Sequence, residues 1–251
     1  MSGGALQRRA RRALERQLAY QRRKAETIRG DEARVVARMR EHSASVRNKI
    51  EAVRPIAGDA RVLEVGSGAH GLIFYFEGAE RVGVDPLADE YRTLFPAWQG
   101  LARTVAAFGE ALPFEDSRCD LVLCDNVVDH AENPRQIIEE IVRVLAPGGL
   151  LYFTVNFHHP FYHWAATAHA RWRALGIPFE ITPFADHTVH LTLDSARALF
   201  DGLPLRIIEQ SHDREQVKAR AGETLPRHLG DRLKRLFFKN AQWEMIAVRE
   251  G

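Results

Sequence analysis

The chain has 251 residues, of which 45% are hydrophobic and 27% are charged. These values are ordinary for a folded globular protein and exclude a mostly disordered one. The formal net charge is only +2, yet residues 1–58 contain 15 Arg and Lys against 6 Asp and Glu. The length fits one α/β domain at residues 58–251, preceded by a basic helical extension at residues 1–57.

Hydropathy and cysteine content bear on the compartment. No apolar run reaches the roughly 18 to 20 residues that a membrane span needs, so the sequence predicts no transmembrane segment. The first twelve residues also lack the apolar stretch of a secretion signal. Cys119 and Cys124 lie close together in a predicted buried strand, where we expect packing residues and no disulfide. These features favour a reducing, cytoplasmic location.

In chain order, a helical region precedes a pattern of strands and helices. Residues 6–53 have helical composition, with one break near Gly30 and Asp31. Seven β-like runs follow, and helical stretches such as Pro134–Leu145 and Ser195–Phe200 separate most of them. This alternation predicts a doubly wound, mostly parallel seven-stranded sheet. The runs are Ala60–Val65, Arg81–Val84, Arg103–Ala106, Leu121–Cys124, Leu150–Val155, Leu205–Glu209 and Trp243–Val248.

Two segments of the predicted domain stand outside this alternation. Residues 156–195 contain several histidines and aromatic rings. Residues 211–239 form a polar inserted segment between the last two β-like runs. Four of its apolar residues recur at a helical spacing of four: Leu225, Leu229, Leu233 and Phe237.

A glycine-rich turn, Gly66-Ser67-Gly68-Ala69-His70-Gly71, follows the first predicted strand. Glycines at such a turn let a ligand approach the backbone closely. With Asp85 further along the chain, the pattern also occurs in dinucleotide-binding folds. Glu64, two residues before the first glycine, favours a ligand with an ammonium group over a pyrophosphate, which its carboxylate would repel.

Further blocks after the glycine turn carry a family resemblance. With them, the sequence resembles the class I methyltransferases that use S-adenosylmethionine (SAM), and specifically the methyltransferase type 11 group. The resemblance implies the Rossmann-like fold of that class, SAM as cofactor, and methyl transfer as the activity. The blocks are Val82–Pro86, Gly109–Phe114, Asp120–His130 and Val144–Leu150.

The resemblance also implies roles for individual residues. Glu64 would hold the ammonium group of SAM, Asp85 would accept hydrogen bonds from the ribose hydroxyls, and Pro86 would lie against the adenine. Phe108 stands where the family usually has an Asp that recognises the adenine edge. The other implied cofactor residues are Gly66, Ser67 and Gly68 at the methionine part, Gly109, Glu110 and Ala111 at the adenine, and Asp125 and Asn126 at the sulfonium end.

Catalysis of methyl transfer requires chiefly that a nucleophile is aligned and, where necessary, deprotonated. Histidine is the best base near neutral pH, and we predict His130, His158 and His159 as candidates. A metal bound by His187 and His190 is a rival interpretation of that His-x-x-His spacing. No matching Cys or acid pair accompanies it, so we predict no metal.

The sequence does not determine which molecule accepts the methyl group, although the resemblance implies that residues 156–195 build much of the acceptor site. We predict transfer to O or N of a small molecule, and the aromatic residues of 157–172 favour an acceptor with a planar part, unless they only pack a lid. The alternatives are an RNA or protein methyltransferase, a SAM-binding module without activity, and an NAD-linked oxidoreductase. The basic extension could bind nucleic acid, although recurring apolar residues favour a lid over the cofactor. The oligomeric state is not predicted.

Overall fold

The computed structural model of the protein describes residues 3–78, 80–161, 191–223, 238 and 240–251. Several predictions therefore concern residues outside the described part of the chain. They are those on the aromatic segment from Tyr162 to Trp172, on His187 and His190, and on Leu225, Leu229, Leu233 and Phe237.

Two helices, α1 (Gly3–Ile28) and α2 (Glu32–Val53), open the described chain. Gly30 lies between them with a φ of +88°, a left-handed conformation that glycine adopts without strain. The predicted break near Gly30 and Asp31 is confirmed. One face of α2 is buried through Met39, Ser43, Val46 and Ile50, whose spacing of three and four residues matches the helical repeat.

The strands form one seven-stranded sheet in the order β3-β2-β1-β4-β5-β7-β6. Strands β1 to β5 pair in parallel, whereas β7 lies antiparallel between β5 and β6. The predicted doubly wound, mostly parallel sheet is confirmed. The strands are β1 (Arg61–Val65), β2 (Glu80–Val84), β3 (Arg103–Val105), β4 (Cys119–Asp125), β5 (Leu145–Phe157), β6 (Leu205–His212) and β7 (Ala241–Arg249).

Short helices connect the strands. The longest of them, α5, begins at Pro134, and the Asn133 side chain caps it by accepting the Gln136 N–H, which satisfies a backbone donor at the helix start. Short 3₁₀ turns occupy Leu72–Phe74 and Val128–His130. The helices are α3 (Ala88–Leu94), α4 (Pro96–Gln99), α5 (Pro134–Val144), α6 (Leu193–Ala198) and α7 (Arg214–Glu223).

Strand β5 is longer than its apolar run predicts. It begins at Leu145, which pairs with Cys119, and the register shifts before Leu150 pairs with Leu121. Gly148, inside this irregular stretch, has a φ of +76°. This stretch is a bulge in the strand, because β5 pairs with β4 both before and after it.

Alternate residues of the central strands face two separate hydrophobic layers. In β4, Val122 and Cys124 pack with α5 and α6, whereas Leu121 and Leu123 pack with α2, α3 and α4. A parallel strand that is buried on both faces reads as a continuous apolar run. Since α2 contributes to the second layer, it is packed on the sheet; a domain boundary near residue 57 stays a prediction.

The strand order reverses between β1 and β4, since β2 and β3 lie on one side of β1 and β4 and β5 on the other. In open α/β sheets, ligands bind in the crevice beyond the carboxyl ends of the strands at such a switch point. The segments that follow Val65, Val84 and Asp125 are therefore the place to look for a site.

Candidate active site

The turn after β1 depends on its glycines. Gly66 and Gly68 have φ values of +71° and +54°, and the N–H groups of Gly66 and Ser67 both donate to Val84 O, at 2.7 and 3.0 Å. A Cβ on Gly66 would lie 2.4 Å from Val127 Cγ2, whereas one on Gly68 would meet no atom closer than 3.8 Å. A ligand therefore has room to approach the backbone at Gly68.

Asp85 directly follows β2 and faces this turn. Its Oδ2 accepts the Gly68 N–H at 3.1 Å and its Oδ1 accepts the Leu87 N–H at 2.8 Å. Burial raises the pKa of Asp85 to about 6, although the two backbone hydrogen bonds oppose the shift. Pro86, the next residue, is partly exposed at the same edge of the sheet.

Glu64 lies inside the protein. It is 2% exposed, and its two oxygens accept the N–H groups of Leu72 and Ile73 at 3.0 and 2.9 Å. Burial raises its pKa to about 7. Gly71 makes room for this carboxylate, because a Cβ there would overlap Oε2 at 2.4 Å. Glu64 thereby anchors the 3₁₀ turn that follows the glycine turn.

Ser67 is 3% exposed and packs against β2. A Cβ on Gly83 would lie 2.7 Å from Ser67 Oγ, so the missing side chain of Gly83 accommodates the serine. Oγ has no hydrogen-bond partner within the described residues.

Helix α4 supports the glycine turn from outside. Trp98 Nε1 donates to Ala69 O at 2.7 Å, and Gln99 Nε2 donates to Gly68 O and Ala69 O, each at 3.1 Å. His70 lies against Phe95 and Trp98, with ring centroids 5.0 and 5.3 Å away. Burial lowers the pKa of His70 to about 4, so the ring is neutral at physiological pH.

The loop after β3 brings Gly109, Glu110 and Ala111 to the same side of the sheet. A Cβ on Gly109 would lie 3.0 Å from Val65 Cγ1, and Gln136 Nε2 donates to Glu110 O at 2.9 Å. Phe108 is 49% exposed. An aromatic face is therefore available next to the loop that the family resemblance assigns to adenine.

Asp125 and Asn126 end β4. Asp125 Oδ1 accepts from Thr154 Oγ1 at 2.5 Å, and Oδ2 lies 2.9 Å from His42 Nε2. Although burial raises the pKa of Asp125, the hydrogen bonds from His42 and Thr154 outweigh it and hold the pKa below its usual range. Asn126 has a φ of +57°, and its Oδ1 accepts from Asn156 Nδ2 at 2.5 Å.

His42 is the site residue that sequence reasoning missed. It lies on α2 beside Ser43, whose hydroxyl donates to Leu72 O at 3.1 Å, and its ring reaches the end of β4. The hydrogen bond to Asp125 is the main cause that raises the pKa of His42. The buried face of α2 was the only available signal, because the partner is 83 positions away in the chain.

The three predicted catalytic histidines lie in different surroundings. His130 is half-exposed in a 3₁₀ turn, with Nε2 3.7 Å from Asp129 Oδ1. His158 is fully buried, and its Nδ1 accepts the Asn240 N–H at 3.1 Å. His159 Nδ1 accepts the Phe161 N–H at 3.2 Å. The structure does not test a catalytic role for them, which stays a prediction.

The described residues also bear on metal binding and on membrane insertion. Within those residues, no group of three or more His, Cys, Asp or Glu side chains has the geometry to hold a metal ion. No helix in the same part of the chain is long and apolar enough to cross a membrane.

Comparison with known proteins identifies relatives of the site region. Residues 63–153 match the family model of a methyltransferase domain. An uncharacterized methyltransferase of Mycobacterium sp. (strain JLS) is 41% identical over 95 residues, which are 37% of each chain. The match thus spans little more than a third of the length of such mycobacterial relatives.

Two further proteins are similar over a longer region. The mouse thiol S-methyltransferase TMT1B is 29% identical over 135 residues, which are 51% of this chain and 55% of the mouse protein. The geranyl diphosphate C-methyltransferase of Streptomyces coelicolor A3(2), solved with S-adenosyl-L-homocysteine, superposes with a TM-score of 0.56 at 14% identity. The superposed region covers 83% of this chain and 77% of the Streptomyces protein. At that identity, the similarity shows a shared fold and nothing further.

Proposed function

We propose that the protein, which belongs to the class I SAM-dependent methyltransferase family through its methyltransferase domain, transfers a methyl group from SAM to a small-molecule acceptor. The observation that carries the proposal is the position of Asp85. Its carboxylate lies at the end of β2, beside the open backbone of Gly68 and at the switch point of the sheet.

The residues at this edge fit a nucleoside cofactor. Each Asp85 oxygen accepts one backbone N–H, and a carboxylate offers about four lone-pair sites. Two sites therefore remain for the ribose hydroxyls. Pro86 and the exposed ring of Phe108 offer apolar surfaces for an adenine, with the backbone of Gly109, Glu110 and Ala111 at its edge.

The methionine part of the cofactor would lie over the glycine turn. Gly66, Ser67 and Gly68 present the backbone there, and Gly68 leaves space above it. Because both Glu64 oxygens already accept backbone N–H groups, Glu64 would act on the ammonium group through its remaining lone pairs or through the charge of its ionised form. Asp125 and Asn126 would face the sulfonium end.

When bound, SAM supplies a methyl group already activated on a positively charged sulfur. The task left to this chain is to position an acceptor, exclude water and remove a proton. The partly buried Asp125, held by Thr154 and His42, supplies fixed negative charge near the reacting end. Such preorganised charge costs no reorganisation during the reaction.

A small molecule is the proposed acceptor, with O or N as the acceptor atom. The name of the mouse relative adds a thiol sulfur as a second candidate. We propose a cytoplasmic location, and we do not propose nucleic acid as the acceptor. The basic α1 packs its apolar residues Leu14, Leu18 and Ile28 onto the protein, which supports a role as a cover for the site.

Two measurements test this function. Isothermal calorimetry with SAM, S-adenosylhomocysteine and NAD is expected to give micromolar binding of the first two and none of NAD. Formation of S-adenosylhomocysteine is then followed with a panel of small phenols, amines and thiols. Binding of NAD alone would refute the cofactor assignment, whereas SAM binding without turnover on any acceptor would favour a SAM-binding module without activity.

A further inference from the structure

We infer that His42 is the general base of this site, oriented by Asp125, and that its Nδ1 takes the proton of the acceptor. The inference rests on the proposed function and adds a catalytic residue to it. The juxtaposition that carries it is the 2.9 Å contact between His42 Nε2 and Asp125 Oδ2, which brings a histidine from α2 to the carboxyl end of β4.

His42 occupies the crevice where the strand order reverses. Asp125 ends β4, and the charge of Glu64, near the end of the neighbouring β1, also acts on the His42 ring. Ligands of open α/β sheets bind between two such strands. The His42 side chain is 56% exposed, so it is accessible at the described surface of that crevice.

The protein holds His42 firmly in this position. On either side of it, Met39, Ser43 and Val46 are buried. Lys49, two turns further along α2, donates to both oxygens of Glu244 at 2.6 and 2.8 Å. A base must stay within hydrogen-bond reach of the proton that it removes, and a rigidly packed helix meets this need better than a loop.

The partners of the ring determine which nitrogen is the base. An ionised carboxylate only accepts hydrogen bonds, so a neutral His42 carries its proton on Nε2, directed to Asp125, and its lone pair on Nδ1. Nδ1 has no hydrogen-bond partner among the described residues. The second oxygen of Asp125 is held by Thr154, which fixes the carboxylate in turn.

Methyl transfer and proton removal together conserve charge and atoms. The lone pair of the acceptor atom forms a bond to the methyl carbon, and the carbon–sulfur bond breaks with its electron pair left on sulfur, which becomes neutral. The acceptor's proton passes to His42 Nδ1. The resulting imidazolium lies next to the Asp125 carboxylate, which stabilises it.

Three charged groups act on the ring. Asp125 and Glu64 favour its protonated form, whereas Lys49, on the same helix, opposes it. The rate on a weakly acidic acceptor is therefore expected to rise with pH through the pKa of His42 and then to level off, since the neutral ring is the active form.

Two acceptors of different acidity distinguish a role of His42 in removing the acceptor's proton from a role in positioning the acceptor. We would assay 4-nitrothiophenol, which is ionised at the assay pH, and phenylmethanethiol, which remains largely protonated. His42→Gln is expected to lower kcat/KM on phenylmethanethiol by about 10²- to 10⁴-fold, the usual contribution of a general base, and to change it little on 4-nitrothiophenol. Added imidazole is expected to restore part of the activity of His42→Ala. Equal losses on both acceptors, or no loss, would overturn the inference.

If the wild-type protein takes neither thiol, the acceptor found in the panel replaces them, together with its more acidic nitro derivative. If the wild-type protein methylates nothing, the proposed transfer itself fails, and the inference fails with it. A wild-type protein that turns over while His42→Gln keeps its full rate overturns the inference alone.

Two readouts do not depend on turnover. Calorimetry with S-adenosylhomocysteine is expected to give nearly the same affinity for wild type and His42→Gln; a loss of tenfold or more would instead make His42 a cofactor ligand. In NMR titrations of the histidine rings, the pKa of His42 is expected to fall in Asp125→Asn, and an unchanged value would refute the pairing. Glu41→Gln, an exposed neighbour on the same helix, is the matched control.

Discussion

Gly83 and Ser67 are interlocked: a methyl group on the α-carbon of Gly83 would lie 2.7 Å from Ser67 Oγ and 2.8 Å from Ser67 Cβ. The glycine lies inside β2 and the serine at the centre of the glycine turn after β1. The shape of the glycine turn is therefore determined partly by the neighbouring strand.

Gly83→Ala is expected to destabilise the protein by about 1 to 3 kcal/mol, because an extra methyl group in a close-packed interior forces its neighbours to move. The displaced Ser67 should also weaken SAM binding. Urea unfolding and calorimetry measure the two effects. Gly100→Ala is the control, since a Cβ there would meet nothing within 4 Å. Unchanged stability of the Gly83 variant would contradict the packing described above.

The affinity for SAM is expected to depend on pH through Asp85. Its pKa is about 6 in the structure, and only the ionised form offers all its lone pairs to the ribose hydroxyls. Binding should therefore weaken as the pH falls below about 6. Asp85→Asn should bind SAM about 10- to 100-fold more weakly, as expected for the loss of hydrogen bonds to a charged acceptor, and its affinity should fall less below about pH 6 than that of the wild type. Calorimetry between pH 5 and 8 provides the test.

Glu64 is expected to make the protein less stable as the pH rises, whereas a salt-bridged acid has the opposite effect. Its pKa is raised from 4.5 to about 7 in the folded state. Its contribution to stability is thus fully present below pH 4.5 and is lost as the pH rises to 7, by up to about 3 kcal/mol. Urea unfolding of wild type and Glu64→Gln across this range isolates the effect, and a constant difference between the two would contradict it.

Replacing Asn126 by glycine is expected to destabilise the protein less than replacing it by alanine. Its φ of +57° costs a residue with a Cβ about 1 to 2 kcal/mol, and asparagine offsets this through its bonds to Asn156. Asn126→Ala loses those bonds and keeps the strain, whereas Asn126→Gly loses only the bonds. Thermal and urea unfolding should therefore rank wild type first and alanine last, and the reverse order of the two variants would show that φ is not the deciding factor.

The strands and the glycine turn after β1 were predictable because their signals are local. Apolar runs buried on both faces mark the strands, and the glycines with positive φ lie where the motif places them. The start of β5 was not predictable, since the pairing of Leu145 with Cys119 across a bulge depends on a distant strand.

His42 was missed for a related reason. The role proposed for it follows from the way α2 brings its ring to Asp125, which no periodicity in the helix itself encodes. The surroundings of Glu64 and Ser67 could not be predicted from the sequence either, because packing decides which groups a buried side chain contacts. Gly71 and Gly83 illustrate this, since a Cβ on either glycine would overlap Glu64 or Ser67.

The place of β7 between β5 and β6 has a consequence for biosynthesis. While the chain is being made, β1 to β5 can assemble in order, but among the described strands β6 has no neighbour to pair with until β7 has emerged. Until then the long, apolar edge of β5 stays open, and an open edge invites pairing with another chain. A nascent chain stalled before residue 241 is therefore a natural substrate for chaperones or proteases.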